Sequence, residues 1–315
     1  DDNGVITLTG SFLHPMRLTP NAFSSTANGP FVARLSPDGS ELLYATFLGG
    51  SGLDSITGVH ADARGAITVC GYTSSADFPT TPRAFDPVFD GPSWPSGEGF
   101  VTRIGPTGSA LEYSTFLGGL GSDSILDMDV DSAGTVVVYG GTDNSAGSFP
   151  WLPGAMDFAP PFAGAALIAR LHRTGSKLSY SSFLPGTGNF GNSRLALDVA
   201  GAVVLGGHTA DADFPVTAGS FDTIHGTPGG THPAPNDAVV LKLSMLPFGV
   251  ERFGASTPGQ QGPLAIGVLS MPQAWQKDFT VSCTNGPANA GGWLLLGQVP
   301  LESPQPVLGA GLWLD

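Results

Sequence analysis

Short apolar runs, each closed by Gly, Pro or Asp, fill the chain from Asp1 to Leu243. Runs of that length and punctuation predict strands joined by tight turns, and no sustained 3.6-residue periodicity marks an amphipathic helix. The runs are copies of one another at intervals of about 70 residues, the period of a large supersecondary unit. Phe31-Val32-Ala33-Arg34-Leu35 returns as Phe100-Val101-Thr102-Arg103-Ile104, as Leu167-Ile168-Ala169-Arg170-Leu171 and as Val239-Val240-Leu241-Lys242-Leu243. A turn glycine follows at Gly39, Gly108, Gly175 and Gly249. In three copies a strand comes next, Tyr44 to Leu48, Tyr113 to Leu117 and Tyr180 to Leu184, and the first two of these end in a glycine pair.

A second turn in every unit is built on Asp-x-x-Gly: Asp1 to Gly4, Asp62 to Gly65, Asp131 to Gly134 and Asp198 to Gly201. Asp accepts hydrogen bonds from the backbone ahead of it and Gly supplies the positive φ. Each unit therefore reads as four strands, exemplified by A (Ile56 to Ala61), B (Ile67 to Tyr72), C (Phe100 to Ile104) and D (Leu111 to Leu117). A long Pro-bearing loop joins B to C. Four antiparallel strands per repeat with apolar residues on both faces predict the blades of a propeller, which bury both surfaces by stacking. The aromatics of the B-to-C loop, Phe78, Phe85, Phe149, Phe214 and Phe221, recur with the repeat and are expected to plug the spaces between blades.

The segments YATFLGGSGLDSITGVHADARGAITVCGYTSSADFPTTPRAF and YSTFLGGLGSDSILDMDVDSAGTVVVYGGT resemble the bacterial SBBP repeat, a β-propeller repeat of secreted and surface proteins. The resemblance covers residues 1 to 253 and implies an extracellular propeller without a catalytic residue set. Residues 254 to 315 resemble, less closely, a β-rich C-terminal module of secreted bacterial proteins. The expected architecture is all-β: a four-bladed propeller over 1–253, then a small β-sandwich-like module over 254–315.

Counting strands from Asp1 yields B, C and D, then A to D twice, then A (Arg194 to Leu197), B (Val203 to His208), C (Val239 to Leu243) and a short D around Val250 to Phe253. Strand A of the first blade is missing. The first B strand, with Val5, Ile6 and Leu8, is thus expected to lack a neighbour, and an unpaired strand edge invites another segment. Leu312-Trp313-Leu314-Asp315 repeats the pattern of Leu195-Ala196-Leu197-Asp198 and is a candidate donor, from the same chain or a neighbouring one. It also reads simply as the last strand of the tail module, and further SBBP blades upstream in an uncleaved precursor would fill the gap as well. The start at Asp1, without Met, is that of a processed or partial product.

Composition narrows the partners. Asp and Glu number 26 against 12 Lys and Arg, for a formal net charge of −14. No basic run offers phosphate or anionic headgroups a counter-charge, so neither nucleic acid nor a membrane surface is an expected partner. Cys70 and Cys283 are too few for a disulfide scaffold. They read either as small buried hydrophobes or as one bridge between body and tail.

Candidate chemistry is sparse. Asp127, Asp129 and Asp131 alternate along one strand and project from one face, a possible oxygen-ligand set for calcium. Asp54 and Asp123, after the Gly-rich turns, are expected to cap them. The histidines are dispersed, and no nucleophile elbow, P-loop or dinucleotide fingerprint occurs. The leading functional expectation is a non-catalytic extracellular or cell-surface structural protein that associates with itself. Its rivals are a propeller binding a glycan or another surface protein, and a hydrolase or lyase on a propeller scaffold.

Overall fold

A computed structural model describes residues 1, 3–12, 17–25, 29–92, 97–143, 148–152, 164–184, 193–199, 201–209, 214–217, 219–222, 237–243 and 245. It adds the backbone of 258–259, 262–263, 265–268, 281–284, 305–307 and 310–312. The protein is all-β, with no helix among the described residues. One compact unit comprises Asp1–Leu152 with Phe158–Ser244, and a second Pro153–Asp157 with Met245–Asp315.

The first unit holds four antiparallel sheets. Sheet 1 is β1 (Ile6–Phe12), β2 (Gly29–Leu35) and β3 (Leu42–Phe47). Sheet 2 is β4 (Asp54–Ala61), β5 (Ile67–Thr73), β6 (Glu98–Ile104) and β7 (Leu111–Leu117). Sheet 3 is β8 (Asp123–Val130), β9 (Val136–Thr142), β10 (Ala165–Leu171) and β11 (Leu178–Phe183). Sheet 4 is β12 (Arg194–Leu197), β13 (Val203–Thr209) and β14 (Asp237–Leu243). Within each sheet the strands follow chain order, so every connection is a simple hairpin. The strand expected at Val250 to Phe253 lies outside the described residues.

The second unit contains three two-stranded antiparallel ladders. They pair β15 (Pro258–Gly259) with β16 (Gly262–Pro263), β17 (Ala265–Val268) with β18 (Val281–Thr284), and β19 (Gln305–Val307) with β20 (Ala310–Leu312).

The repeated turns close as their chemistry requires. Gly4, Gly65, Gly134 and Gly201 all have φ between +75° and +85°, and each donates its N–H to the carbonyl of the Asp three residues before it. The carboxylate reaches ahead as well: Asp62 Oδ1 accepts from the Arg64 and Ala66 N–H groups, and Asp131 Oδ1 from Ala133 and Thr135. Its other oxygen faces the cation of the third strand. Arg34 pairs with Asp1, Arg103 with Asp62, Arg170 with Asp131 at 2.8 Å, and Lys242 with Asp198 at 2.7 Å. The four cations thus occupy equivalent places, and at the three arginines the ladder to the next strand carries a bulge.

Arg103 illustrates the cost of that arrangement. Its nearly buried guanidinium donates to Asp62, to Glu112 at 2.7 Å and to Thr68 at 3.0 Å. Arg103→Leu strands Asp62 beside an apolar side chain, and removing one partner of a buried pair typically costs about 3 kcal/mol. Urea denaturation is expected to show a loss of that order, against a negligible one for Arg64→Leu, whose side chain is mostly in solvent.

Consecutive sheets pack face to face. Val32, Tyr44 and Leu48 of sheet 1 meet Ile67, Val69, Phe78, Phe100, Ile104 and Phe116 of sheet 2 in one buried cluster. Cys70, Val101, Tyr113 and Leu117 on the other side of sheet 2 meet Ile125, Val136, Val138, Leu167 and Phe183 of sheet 3 in the next. β6, between two neighbours, is buried at every residue. The loop aromatics behave as expected in sheets 2 and 3: Phe78 stacks 4.4 Å from Phe100, and Phe149 lies 5.9 Å from Phe183. Phe85 joins the second cluster, and its N–H donates to the Gly175 carbonyl of sheet 3 at 2.7 Å, as Phe23 N–H does to Gly108 of sheet 2 at 3.0 Å. Phe221 departs from the expectation. It is fully exposed, and the fourth is the last described sheet of the first unit.

Candidate functional site

The free edge of the first sheet is the site that combines an unused backbone ladder with exposed apolar side chains. β1 pairs with β2 from Ile6↔Leu35 to Phe12↔Gly29, and among the described residues no strand lies on its other side. In sheets 2, 3 and 4 the corresponding strands β5, β9 and β13 are each flanked on that side by β4, β8 and β12. The pairing register makes Ile6 the counterpart of Ile67, Val136 and Val203, and Leu8 the counterpart of Val69, Val138 and Leu205. Those six are buried, whereas Ile6 is 39% and Leu8 44% exposed. Val5, just before the strand, is half-buried and donates its N–H to Asp1 Oδ1 at 2.9 Å, so it serves the turn.

The β4, β8 and β12 edges of the other sheets are bridged by side chains. A bulge at Thr57 in β4 lets its hydroxyl donate to the Ile125 carbonyl of β8 at 2.7 Å. One sheet further on, Asp127 Oδ2 accepts from the Leu195 N–H at 2.8 Å and Asp129 Oδ2 from the Leu197 N–H at 2.9 Å. Their Oδ1 atoms accept from the Met128 and Val130 N–H groups. Asp131 has left the strand and is shared between its turn and Arg170.

The three carboxylates singled out for calcium therefore have backbone or guanidinium donors on both oxygens. Among the described residues no three His, Cys, Asp or Glu side chains are grouped to hold a metal ion. Replacing Asp127 and Asp129 together by Ala is expected to cost about 1 kcal/mol for each uncapped N–H of β12. A thermal melt with and without a chelator separates this role from a cation's: the midpoint of the parent should not move.

A pair of buried carboxylates escaped the sequence reading. Asp54 and Asp123 do cap the Gly-rich turns, accepting from Gly50 at 2.8 Å and Gly119 at 2.7 Å. At Asp123, however, Glu98 of β6 comes alongside. A Cβ on Gly118 would sit 2.6 Å from both Asp123 Oδ2 and Glu98 Cγ, so the glycine pair makes room for two acids. Glu98 Oε2 accepts from the Asp90 and Gly91 N–H groups, while Oε1 has no hydrogen-bond partner among the described residues. Burial, with Asp86 and Asp123 adding repulsion, pushes the Glu98 carboxyl up to about 8. Burial raises Asp123 to about 6, against the hydrogen bonds from Thr142 and Gly119. Position 98 corresponds to Gly29 and Ala165 in the neighbouring sheets, and that break in the repeat was the signal available in the sequence.

Cys70 is a free thiol, wholly buried between sheets 2 and 3, and burial drives it up to about 12, which keeps it protonated. Of the tail residues singled out as a donor strand, Leu312 ends β20, opposite Gln305, and Trp313, Leu314 and Asp315 lie outside the described residues.

Repeated antiparallel sheets, stacked on apolar faces, make this an all-β protein of propeller-like construction. No family model matches the chain, and no curated protein does. Among solved structures it is similar to a protein of unknown function from Dyadobacter fermentans, at 14% identity and a TM-score of 0.35, over 66% of this chain and 55% of that one. It is also similar to BamB from Moraxella catarrhalis, at 12% identity and a TM-score of 0.20, over 56% and 54%. The chain spans about half the length of each.

Proposed function

We propose that the four sheets are blades of an SBBP-type β-propeller carrying a C-terminal β module, and that the protein is a non-catalytic structural subunit of a bacterial surface or extracellular matrix. It associates with itself through the open edge of β1. One observation carries the reading: β1 offers an unpaired ladder beside exposed Ile6 and Leu8, where every equivalent strand is covered. Adding a strand to such an edge engages a row of backbone donors and acceptors at once, which stabilises a joint without a large side-chain interface. The acidic, charge-poor composition favours protein contacts over phosphate-bearing partners.

The donor is an extended segment, and Leu312 to Asp315 is the first to test. Deleting residues 308 to 315 should lower both the particle mass and the melting temperature of the full-length material. Truncated protein that keeps the mass and midpoint of the parent removes the tail as donor.

A further inference from the structure

The molecule leaves two blade faces open, one at each end of the series of sheets, and the interior shows what each face binds. Where sheets 1 and 2 meet, and again where sheets 2 and 3 meet, the later sheet presents the side bearing Ile67 and Val69, or Val136 and Val138, to the side of the earlier one bearing Val32 and Tyr44, or Val101 and Tyr113. On sheet 1 the side bearing Ile6 and Leu8 is only partly covered: Ala33 and Phe47 on it are buried, but Phe31 and Leu35 are only half-buried, although their counterparts Phe100, Ile104, Leu167 and Leu171 are fully buried.

On sheet 4 the situation is inverted. Val203, Leu205 and Leu243 on one side are buried, while Ala238, Val240 and Lys242 on the opposite side are exposed. Val240 is 80% exposed, whereas its counterparts Val32, Val101 and Ile168 are fully buried. Phe221, the counterpart of Phe23 and Phe85, is fully exposed.

We infer that the Phe221–Val240 face of sheet 4 in one copy docks on the Ile6–Leu8 face of sheet 1 in a second copy, so that molecules join head to tail by the packing already present between their own sheets. This rests on the self-association reading and names its partner surface. Two details match. Phe23 and Phe85 donate their N–H groups to the glycine carbonyls of the next sheet's third turn, Gly108 and Gly175; the corresponding acceptor for Phe221 is Gly39. Tyr44 and Tyr113 of the preceding sheet crowd Gly108 and Gly175 so closely that a Cβ there would overlap their rings, whereas the space over Gly39 is empty within 4 Å, as a face awaiting its neighbour requires. Ile6 and Leu8 on the one face and Val240 and Phe221 on the other are exposed in the same molecule, so among the described residues neither face covers the other. Such a contact is heterologous, and it grows into a ring or a filament.

The test uses the full chain, with particle mass read by sedimentation and folding by circular dichroism. The parent should run as multiples of the chain mass that grow with concentration. Leu8→Asp and Val240→Asp should each run as monomers, and an equimolar mixture of the two should form a dimer and nothing larger, because one intact face remains on each. Phe221→Ser, at a fully exposed position and so without effect on folding, should weaken assembly at least tenfold even if Leu8→Asp fails to fold. A parent that assembles while Val240→Asp and Phe221→Ser keep its mass overturns the face contact and leaves strand donation standing. A parent that stays monomeric overturns self-association itself.

Discussion

Glu98→Gln is expected to stabilise the protein at pH 9 and to flatten its pH–stability profile. The parent carboxyl titrates near 8 when folded, because burial penalises its charge, and near 4.5 when unfolded. The folded state therefore holds a proton that the unfolded chain releases between those values. The contribution of Glu98 is least unfavourable below pH 4.5, worsens as pH rises from 4.5 to 8, and stays unfavourable above. Asp123 adds a smaller decline between its ordinary value of 3.8 and about 6. A tenfold change in proton affinity corresponds to about 1.4 kcal/mol, so the Glu98 share is on the order of 5 kcal/mol. Gln keeps the acceptor for the Asp90 and Gly91 N–H groups and places an amide where the unpartnered oxygen stands. Melting temperatures from pH 4 to 9 read the effect: the variant should be nearly flat where the parent falls. Equal slopes in the two proteins would mean that Glu98 is charged when folded.

Gly71→Ala is expected to be strongly destabilising. The new Cβ would overlap the Ser55 carbonyl oxygen and lie 3.1 Å from the Ile56 Cα, both backbone atoms of the adjacent strand. No rotamer relieves that overlap; the β4–β5 ladder has to open at the bulge beside it. Overpacking against backbone typically costs about 1–3 kcal/mol, and this contact calls for about 3 or more, a large share of the roughly 5–15 kcal/mol that hold a domain together. Gly206→Ala is the control. It lies in β13 with nothing within 4 Å of the added carbon, and should be neutral or stabilising by about 0.5 kcal/mol. Urea midpoints for the two variants decide it, and a Gly71→Ala protein as stable as the parent would show that the bulge rearranges freely.

Both variants probe features of very different legibility. The turns could be read from the chain because their chemistry is local: Asp-x-x-Gly needs only an acceptor and a positive φ within one tight turn, and all four copies close in that way. Strand order within a sheet followed from the same hairpins. The repeat also aligned Arg34, Arg103, Arg170 and Lys242, although their partners, the turn aspartates, were not foreseen. Each ion pair joins residues more than thirty positions apart, and only the register of the intervening strands brings them together.

Tertiary structure alone decided the roles of the acids. Asp127 and Asp129 share a face as their spacing predicts, but whether that face meets a cation or the N–H groups of β12 depends on where the next sheet lies. Glu98 lies in an ordinary strand run, and its environment comes from a glycine pair twenty residues on and an aspartate beyond it. The sequence by itself determined the repeat and the turns, because hydrogen bonding between near neighbours and alternation along a strand are local. Which faces are covered and which are left open was decided by the stacking of sheets. Ile6 and Ile67 sit in matching runs of the chain, and one is exposed and the other buried only because a sheet lies over the second.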